Sequence, residues 1–489
     1  MTLKLNLDRD IKELVPQYIF DIAKKLKENN FEAYLVGGSV RDILLEREPL
    51  DFDVATNAYP DEIVKIFPKS VPTGAKFGTI TVVVPDENGE NFNVEVTTYR
   101  SEADYFGARW PTKVEFSRTI FEDLKRRDFT INAIAINLQV ELNNSKLADH
   151  ILDQFNGLAD LQNKIIRAVG DPLERLSEDG LRSVRACRLA SQLGFLIEEK
   201  TFDAIKKTLH IVKNISVERF RDEFEKLIYK SSKPSIGIKL LKESGILEIF
   251  IPELLEGIGI VQPEFHSDDV FEHSLKTLDL APDDVKLAAL FHDIAKPRCK
   301  SVDSCGGIHF YGHDLLGAEM TKQILKRLKF PNAIVEETSR LVRWHMFYYP
   351  SSDWRKSKKH KNKHLYGWSD GAIRRLINNV GGEESIDKLI KLRIADASAN
   401  QKSIFDPSEI MALSNRIAEV RARSTAFKIT DLDINGYDIM NHFNLNQGKI
   451  IGKVLNYLLK KVLDNPKLNK KDILIKYAGN YLKKIQNVK

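Results

Sequence analysis

The sequence predicts an α+β head followed by an almost wholly helical remainder. Three observations carry this: β-branched and alternating runs are confined to residues 1–140, helical apolar spacing takes over after Asp149, and a glycine turn followed by spaced aspartates sits among the strands. Residues 11–29 place Ile11, Leu14, Val15, Ile19, Ile22, Ala23 and Leu26 at helical spacing and end at Asn29-Asn30, which predicts one helix. Strands are expected at Ala33–Val36, Phe52–Val54, Thr79–Val84 and Asn93–Thr98, the last two joined through an Asp86-Glu-Asn-Gly89 turn. These make a head over residues 1–140. Breaks at Gly170-Asp171-Pro172, Lys233-Pro234 and Pro252 punctuate a helical neck and body over 141–260. Residues 265–400 form a further helical unit with most of the histidines, and 401–489 a helical tail with Lys and Asn interspersed. No internal repeat of fixed period is present.

A chain of 489 residues points to about two to four domains. With 74 basic against 69 acidic residues the net charge is only +5, so a polyanionic partner must be held by local basic patches. Cys187, Cys299 and Cys305 supply neither a disulfide framework nor a Cys-x-x-Cys zinc site. The first eight residues lack a long apolar core, and no stretch reaches the roughly 18 apolar residues of a membrane span. A cytoplasmic chain is the expectation. The basic run 355–364 reads as a solvated loop, with a salt-sensitive phosphate contact as the alternative.

The turn Gly37-Gly38-Ser39-Val40-Arg41-Asp42 precedes Asp51 and Asp53. Side chains alternate on a strand, so the two aspartates point the same way and can share one Mg2+. The glycines let backbone N–H groups approach a triphosphate, and a helix starting near Val40 aims its positive end at it. Arg41 offers a bidentate fork for phosphate, the alternative being an ion pair with Asp42 or Glu46. Glu95, on the following strand, is a candidate third carboxylate or else an exposed charge. Together these residues read as nucleotidyl transfer.

The spacing Gly38-x-x-Arg41-Asp42 … Asp51-x-Asp53 resembles the head of the class II tRNA nucleotidyltransferase and bacterial poly(A) polymerase family, within the DNA polymerase β superfamily. Arg126–Ala133, Glu178–Arg188 and Ile215–Arg219 continue the resemblance in order, so that it spans nearly the whole chain. Gly180 departs from it, standing where the family often has proline. The resemblance implies that Arg127 and Asp128 read the sugar, the carboxylate accepting from a ribose 2′ hydroxyl; a helix N-cap is the other role open to Asp128. It also implies that Asp179 and Arg182, three apart on an expected helix, imitate a base. A carboxylate accepts from the exocyclic amine of cytosine or adenine, a guanidinium donates to the adjacent ring nitrogen, and the carbonyl of uracil or guanine is repelled. Without the resemblance the pair is an ordinary surface ion pair. Arg185 and Arg188 contact phosphate or brace the pair, and Glu178 orients it or caps the helix. Tyr99–Pro111 resembles the family's flexible loop, whose presence favours A addition, with Arg100, Asp104 and Arg109 as its polar candidates.

His273, His292-Asp293, His313, His345 and Asp396 resemble the ligand series of the HD phosphohydrolase superfamily. Imidazoles with carboxylates suit Ni2+, Mn2+, Fe2+ or Mg2+. His266 and His309 stand near this series without belonging to it. The expected activity is addition or repair of the 3′ CCA of tRNA from CTP and ATP, with tRNA held by neck and tail. The rivals are an A-only tRNA enzyme, a poly(A) polymerase (a branch that usually lacks an HD domain), and an HD phosphohydrolase whose head only binds nucleotide.

Overall fold

The computed structural model describes residues 2–85, 91–101, 105–106, 110–111, 115–139, 146–262, 268–347, 368–400, 408–423 and 427–486. The Asp86–Gly89 turn, Asp104, Arg109, His266 and the run 355–364 lie outside the described residues. The chain divides between Phe250 and Ile251 into two compact units.

In the first unit the strands are β1 (Tyr34–Val36), β2 (Asp53–Thr56), β3 (Ser70–Gly74), β4 (Thr79–Pro85), β5 (Asn91–Thr98), a two-residue pair β6 (Tyr105–Phe106) and β7 (Trp110–Pro111), then β8 (Ile134–Asn137) and β9 (Ile151–Asp153). Seven of them form one sheet in the order β3-β4-β5-β2-β1-β8-β9. β2 and β5 run parallel and the other neighbours antiparallel, which makes the expected mixed sheet. β4 alternates, burying Ile80 and Val82 between half-exposed threonine and valine. Val36, Ala55, Tyr99, Leu124, Ala133 and Ala135 close the core at the site end of the sheet.

Several sequence expectations shift here. Residues 11–29 are not one helix: a 3-10 turn at Ile11–Glu13 precedes the helix Gln17–Glu28. Pro16 lacks an N–H and biases Val15 away from helical backbone, so the helix restarts beyond it. β2 begins at Asp53, leaving Asp51 just ahead of the strand. The helix after the glycine turn starts at Gly38 instead of Val40. Strand structure also persists past residue 149: β9 completes the sheet, and Ile165–Ile166 pairs in parallel with Leu196–Ile197.

The neck is helical, with Pro172–Glu178, Leu181–Leu193, Glu199–Lys207, Val217–Lys230 and Pro234–Glu243. Proline at the first position starts two of these without losing an intrahelical hydrogen bond. Phe220 stacks on Phe250 at 3.8 Å between ring centroids and fixes the end of this unit.

In the second unit, helices Val270–Leu280, Lys286–Phe291, His313–Arg327, Asn332–Trp344 and Glu383–Ala399 carry the histidine series, with a hairpin Ser301–Val302/Ile308–His309 inserted before His313. Helices Gly436–Phe443, Lys449–Asp464 and Lys471–Gln486 enclose a second apolar core built on Val454, Leu458, Val462 and Leu474. Buried Arg374 donates to the Leu463 carbonyl at 2.6 Å and ties the two parts together. Among the described residues, no helix is long and apolar enough to cross a membrane.

Candidate active site and metal centre

The register of the sheet assembles the head site. Val36, the last residue of β1, pairs with Asp53, and Asp53 pairs with Glu95 across the parallel β2–β5 contact. The chain leaves β1 directly into Gly37, whose φ of +82° strains any residue with a Cβ. A Cβ there would stand 3.1 Å from Arg127 Nη1 and 3.5 Å from Asp53 Oδ2, so glycine keeps open the space between carboxylate and guanidinium. Asp51 is exposed and Asp53 half-buried. Burial, with Glu95 and Asp51 alongside, pushes the Asp53 carboxyl up to about 6, and Arg127 only partly offsets them. Excess negative charge in a partly dry place fits a divalent cation. The oxygens of Asp51, Asp53 and Glu95 do not all close to within 4.8 Å of one another.

The neighbouring polar residues are already engaged. Ser39 donates to the Val36 carbonyl at 3.1 Å, leaving its backbone N–H, not its hydroxyl, for a ligand. Arg41 pairs with Asp42 at 2.9 Å and donates to Asn132 Oδ1 at 2.8 Å. The local ion pair considered from sequence is therefore present. Arg127 donates to buried Asp123, which also holds Arg126. Asp128 accepts from Asn132 Nδ2 at 3.1 Å and from Arg185 Nε at 2.7 Å, and is no helix N-cap, since the turn that follows begins after Phe129. Burial alone would raise Asp123 and Asp128; the arginines around each, with Asn132 on Asp128, more than offset it and leave both at about 2.

Asp179 and Arg182 do not share one helix. Asp179 has extended backbone between Pro172–Glu178 and Leu181–Leu193, and Arg182 lies in the first turn of the latter. They are joined through the backbone, the Arg182 N–H donating to the Asp179 carbonyl at 3.0 Å, while their side chains bond other partners. Arg219 grips Asp179 through both oxygens at 3.2 and 2.6 Å, while Arg182 donates to Glu178, to the Arg175 carbonyl at 2.8 Å and to the Arg126 carbonyl at 3.1 Å. Glu178 thus orients Arg182 from the end of its helix and caps nothing. Arg188 is bound to Glu223 and Gln192, so it braces the neck, as Arg185 braces Asp128. At Gly180 an added Cβ would fall 2.8 Å from Val212 Cα and 2.9 Å from the Ile211 carbonyl, which requires glycine at this chain crossing. Arg100 joins Phe116 in an isolated antiparallel bridge.

The second unit brings its six expected ligands together. Asp293 lies between two groups: its Oδ2 is 3.1 Å from His292 Nε2 and 3.8 Å from His273 Nε2, and its Oδ1 is 3.5 Å from His313 Nε2 and 3.7 Å from His345 Nε2. Asp396 Oδ1 completes the first group, 3.0 Å from His273 and 3.6 Å from His292. His292, His313 and His345 each turn Nδ1 to a backbone carbonyl, of Ala289, Phe310 and Val342, at 2.6–2.8 Å. That fixes Nε2 as the free ligand atom on each ring. These three Nε2 atoms are buried without a hydrogen-bond partner among the described residues. Burial opposes charge on His292, yet Asp293 and Asp396 push it up to about 10, so positive charge is favoured beside these carboxylates. Orphaned donors, two carboxylates and four imidazoles fit two divalent ions sharing Asp293. Lys296, 2.6 Å from Asp293 Oδ2 and bonded to Gln262, adds a positive side chain at the same oxygen. His309 does not enter the pocket; its Nε2 bonds Asp303 at 2.8 Å.

Family models match in chain order: a poly A polymerase head domain over residues 33–167, a probable RNA and SrmB-binding site of polymerase A over 194–257, an HD domain over 266–401 and a putative tRNA nucleotidyltransferase domain 2 over 393–478. A CCA-adding enzyme of Ligilactobacillus salivarius is 32% identical over 492 residues, covering 98% of this chain and 98% of that protein. The chain belongs to the CCA-adding enzyme family. Another relative, from Lactobacillus helveticus, is 50% identical over 206 residues, 42% of this chain, and the match spans 48% of that protein, about half its length. The crystal structure of the Bacillus stearothermophilus CCA-adding enzyme in complex with CTP superposes with a TM-score of 0.64 at 24% identity, covering 97% of this chain and 99% of that one, which shows the shared fold.

Within this family member, four residues that complete the network were given no role from sequence: Asp123, Asn132, Arg219 and Glu223. Asp123 carried a signal, since Arg126 and Arg127 follow it at i+3 and i+4. Asn132 and Arg219 stood inside the quoted runs, but Arg41 on Asn132 and Asp179 on Arg219 are 91 and 40 residues away in sequence, and only the fold names them.

Proposed function

We propose that the chain builds or repairs the 3′-terminal CCA of tRNA from CTP and ATP without a nucleic-acid template. The observation that carries this is the pairing of Val36 with Asp53 and of Asp53 with Glu95, which sets a carboxylate site against the Gly37 turn in a chain of this family. Asp51 and Asp53 would hold Mg2+, which when bound offsets charge on the triphosphate and activates the attacking 3′ hydroxyl. The backbone N–H groups of Gly37, Gly38 and Ser39, with Arg41 and Arg127, position the triphosphate. Asp128, fixed by Arg185 and Asn132, accepts from the ribose 2′ hydroxyl. Asp179, which accepts twice from Arg219 and once from the Leu181 N–H at 3.0 Å, keeps room for one exocyclic amine, since a carboxylate accepts up to about four hydrogen bonds. Arg182 donates to the adjacent ring nitrogen, and Asp179 repels the carbonyl of U and G. The neck and the Lys-rich tail hold tRNA.

The test supplies tRNA ending at the discriminator base, and tRNA ending in CC, with each nucleotide alone and together, followed by sequencing of the products. Growth of the first to CCA and of the second by one A is expected. Growth of the CC-ended tRNA alone would make this an A-only enzyme, and long A tails a poly(A) polymerase. No addition beside retained phosphatase activity would leave an HD hydrolase with a nucleotide-binding head.

The division of Asp293 between two histidine groups favours a second activity: hydrolysis of phosphate esters at RNA 3′ ends, such as 2′,3′-cyclic phosphates. His273, His292, Asp293 and Asp396 would hold one Ni2+, Mn2+, Fe2+ or Mg2+, and Asp293, His313 and His345 another. Such ions, when bound, supply Lewis acidity toward water and the phosphoryl oxygens. Water adds to phosphorus, one ring P–O bond breaks and the released ribose oxygen takes a proton. Hydrolysis of the remaining monoester frees the hydroxyl that nucleotidyl transfer needs. Metal analysis of the purified protein and assays of a cyclic phosphate with each ion test this; no bound metal and no turnover would reduce the domain to a scaffold.

A further inference from the structure

We propose that the stacked rings of His309 and Tyr311 form a platform for the base of an RNA 3′-terminal nucleotide whose phosphate enters the His-Asp pocket. The proposal rests on the phosphohydrolase reading of that pocket. Its segment is tied to the pocket at two points. The Phe310 carbonyl accepts from Nδ1 of the ligand His313 at 2.6 Å, and the Phe310 ring lies 5.5 Å from Lys296 Nζ, itself 2.6 Å from Asp293 Oδ2. Flanking Phe310, the imidazole of His309 and the ring of Tyr311 stack with centroids 5.1 Å apart and planes 13° from parallel.

The platform is held from beneath. His309 Nε2 bonds Asp303 Oδ2 at 2.8 Å, and Asp303 Oδ1 accepts the backbone N–H groups of Cys305 and Gly307 at 2.9 and 2.8 Å. The hairpin thus fixes the imidazole, and the imidazole backs the phenol ring. Tyr311 itself is 77% exposed, a large aromatic surface turned to water two residues from a metal ligand. A single exposed tyrosine is ordinary. One backed by a second ring, anchored through a carboxylate and placed at the rim of a phosphate-cleaving pocket matches what base recognition without sequence preference requires. Every nucleobase offers a π-face, and a stacking ring binds it whatever its hydrogen-bonding edge. Metal ligands select phosphate; the stacked pair would select a nucleoside that carries it.

The experiment uses the full chain and a short single-stranded RNA that ends in 2-aminopurine bearing a 2′,3′-cyclic phosphate, an end the head cannot extend. Fluorescence of 2-aminopurine falls when the base stacks. Quenching on binding is expected with the wild type and with Tyr311→Phe, and its loss, with binding weakened about tenfold, with Tyr311→Ala. In parallel, hydrolysis of this RNA is compared with hydrolysis of methyl riboside 2′,3′-cyclic phosphate, which has no base. Tyr311→Ala should raise KM for the RNA and leave the base-free ester unchanged. Equal quenching in wild type and Tyr311→Ala overturns the platform, as does equal loss of both hydrolyses. Tyrosine-dependent quenching without hydrolysis of either ester by the wild type keeps the platform and removes the phosphohydrolase reading.

Discussion

At Asp53, burial and two neighbouring carboxylates oppose ionisation while Arg127 favours it, leaving a carboxyl near 6 where a cation would restore full charge. Asp53→Ala should therefore remove C and A addition alike, by about 10²–10⁴-fold, because several kcal/mol of transition-state charge stabilisation are lost. Filter binding of tRNA should change little; near wild-type addition would refute the two-aspartate assignment. At Asp179 the arrangement is different, since its partner is Arg219 and not Arg182. Asp179→Ala should admit UTP or GTP, because the repulsive group is gone. Arg219→Ala should relax selection in the same direction while leaving Asp179 in place, and single-nucleotide incorporation assays measure both. If neither substitution alters nucleotide choice in a folded protein, the two residues only support the neck. Residue types with a distinctive spacing were legible in the sequence, including the glycine turn, the spaced aspartates and the histidine series. Most of their engagements were not, because a guanidinium chooses among carboxylates by the fold, as Arg182 and Arg185 illustrate.

Between elements, the head and the neck helix Leu181–Leu193 meet through the ion pair of buried Asp128 with half-buried Arg185 and through Arg182 donating to the Arg126 carbonyl. Asp123 anchors the same stretch by holding Arg126 and Arg127. With a folded pKa of about 2, below the ~3.9 of an unfolded aspartate, its stabilising contribution is present above pH ~4 and lost as pH falls toward 2. Asp123→Asn should accordingly lower the unfolding temperature at neutral pH, and the gap to wild type should close between pH 4 and 2. A gap independent of pH would mean that packing, not charge, is lost. Gly180→Ala tests the crossing behind Asp179: backbone atoms at 2.8–2.9 Å cannot yield as a flexible side chain can, so a loss of about 1–3 kcal/mol is expected in urea unfolding. Elements with strong periodicity, such as β4 and β5, could be read directly. β3, β8 and β9 could not, since none carries an alternating run of its own and each gains its strand state from the sheet beside it.

Across the whole molecule, each of the two compact units carries its own polar cluster, carboxylates on the sheet of the first and histidines with aspartates in the second. The head gathers Asp51, Asp53 and Glu95 beside a glycine turn, whereas the second unit buries four histidines and Asp293 beside half-buried Asp396, with backbone carbonyls orienting three of the imidazoles. Hard carboxylate oxygens suit Mg2+ and imidazole suits the later transition ions, so the two centres should differ in metal preference as well as in reaction. A ligand that binds only the folded state raises stability by about 2.7 kcal/mol at one hundred times its Kd. Titrating the metal-stripped protein with Ni2+ or Mn2+ should therefore raise the unfolding transition of the second unit. The same titration should leave the double variant His292→Ala, Asp293→Ala unmoved, although that variant still adds nucleotides. Asp53→Ala should show the reverse, with no addition, a full metal-induced shift, and cyclic-phosphate hydrolysis at the wild-type rate. Loss of nucleotide addition in a folded His292→Ala, Asp293→Ala protein would overturn this separation, because a site with its own ligands in its own core cannot fail through a pair in the other unit unless the two centres act as one.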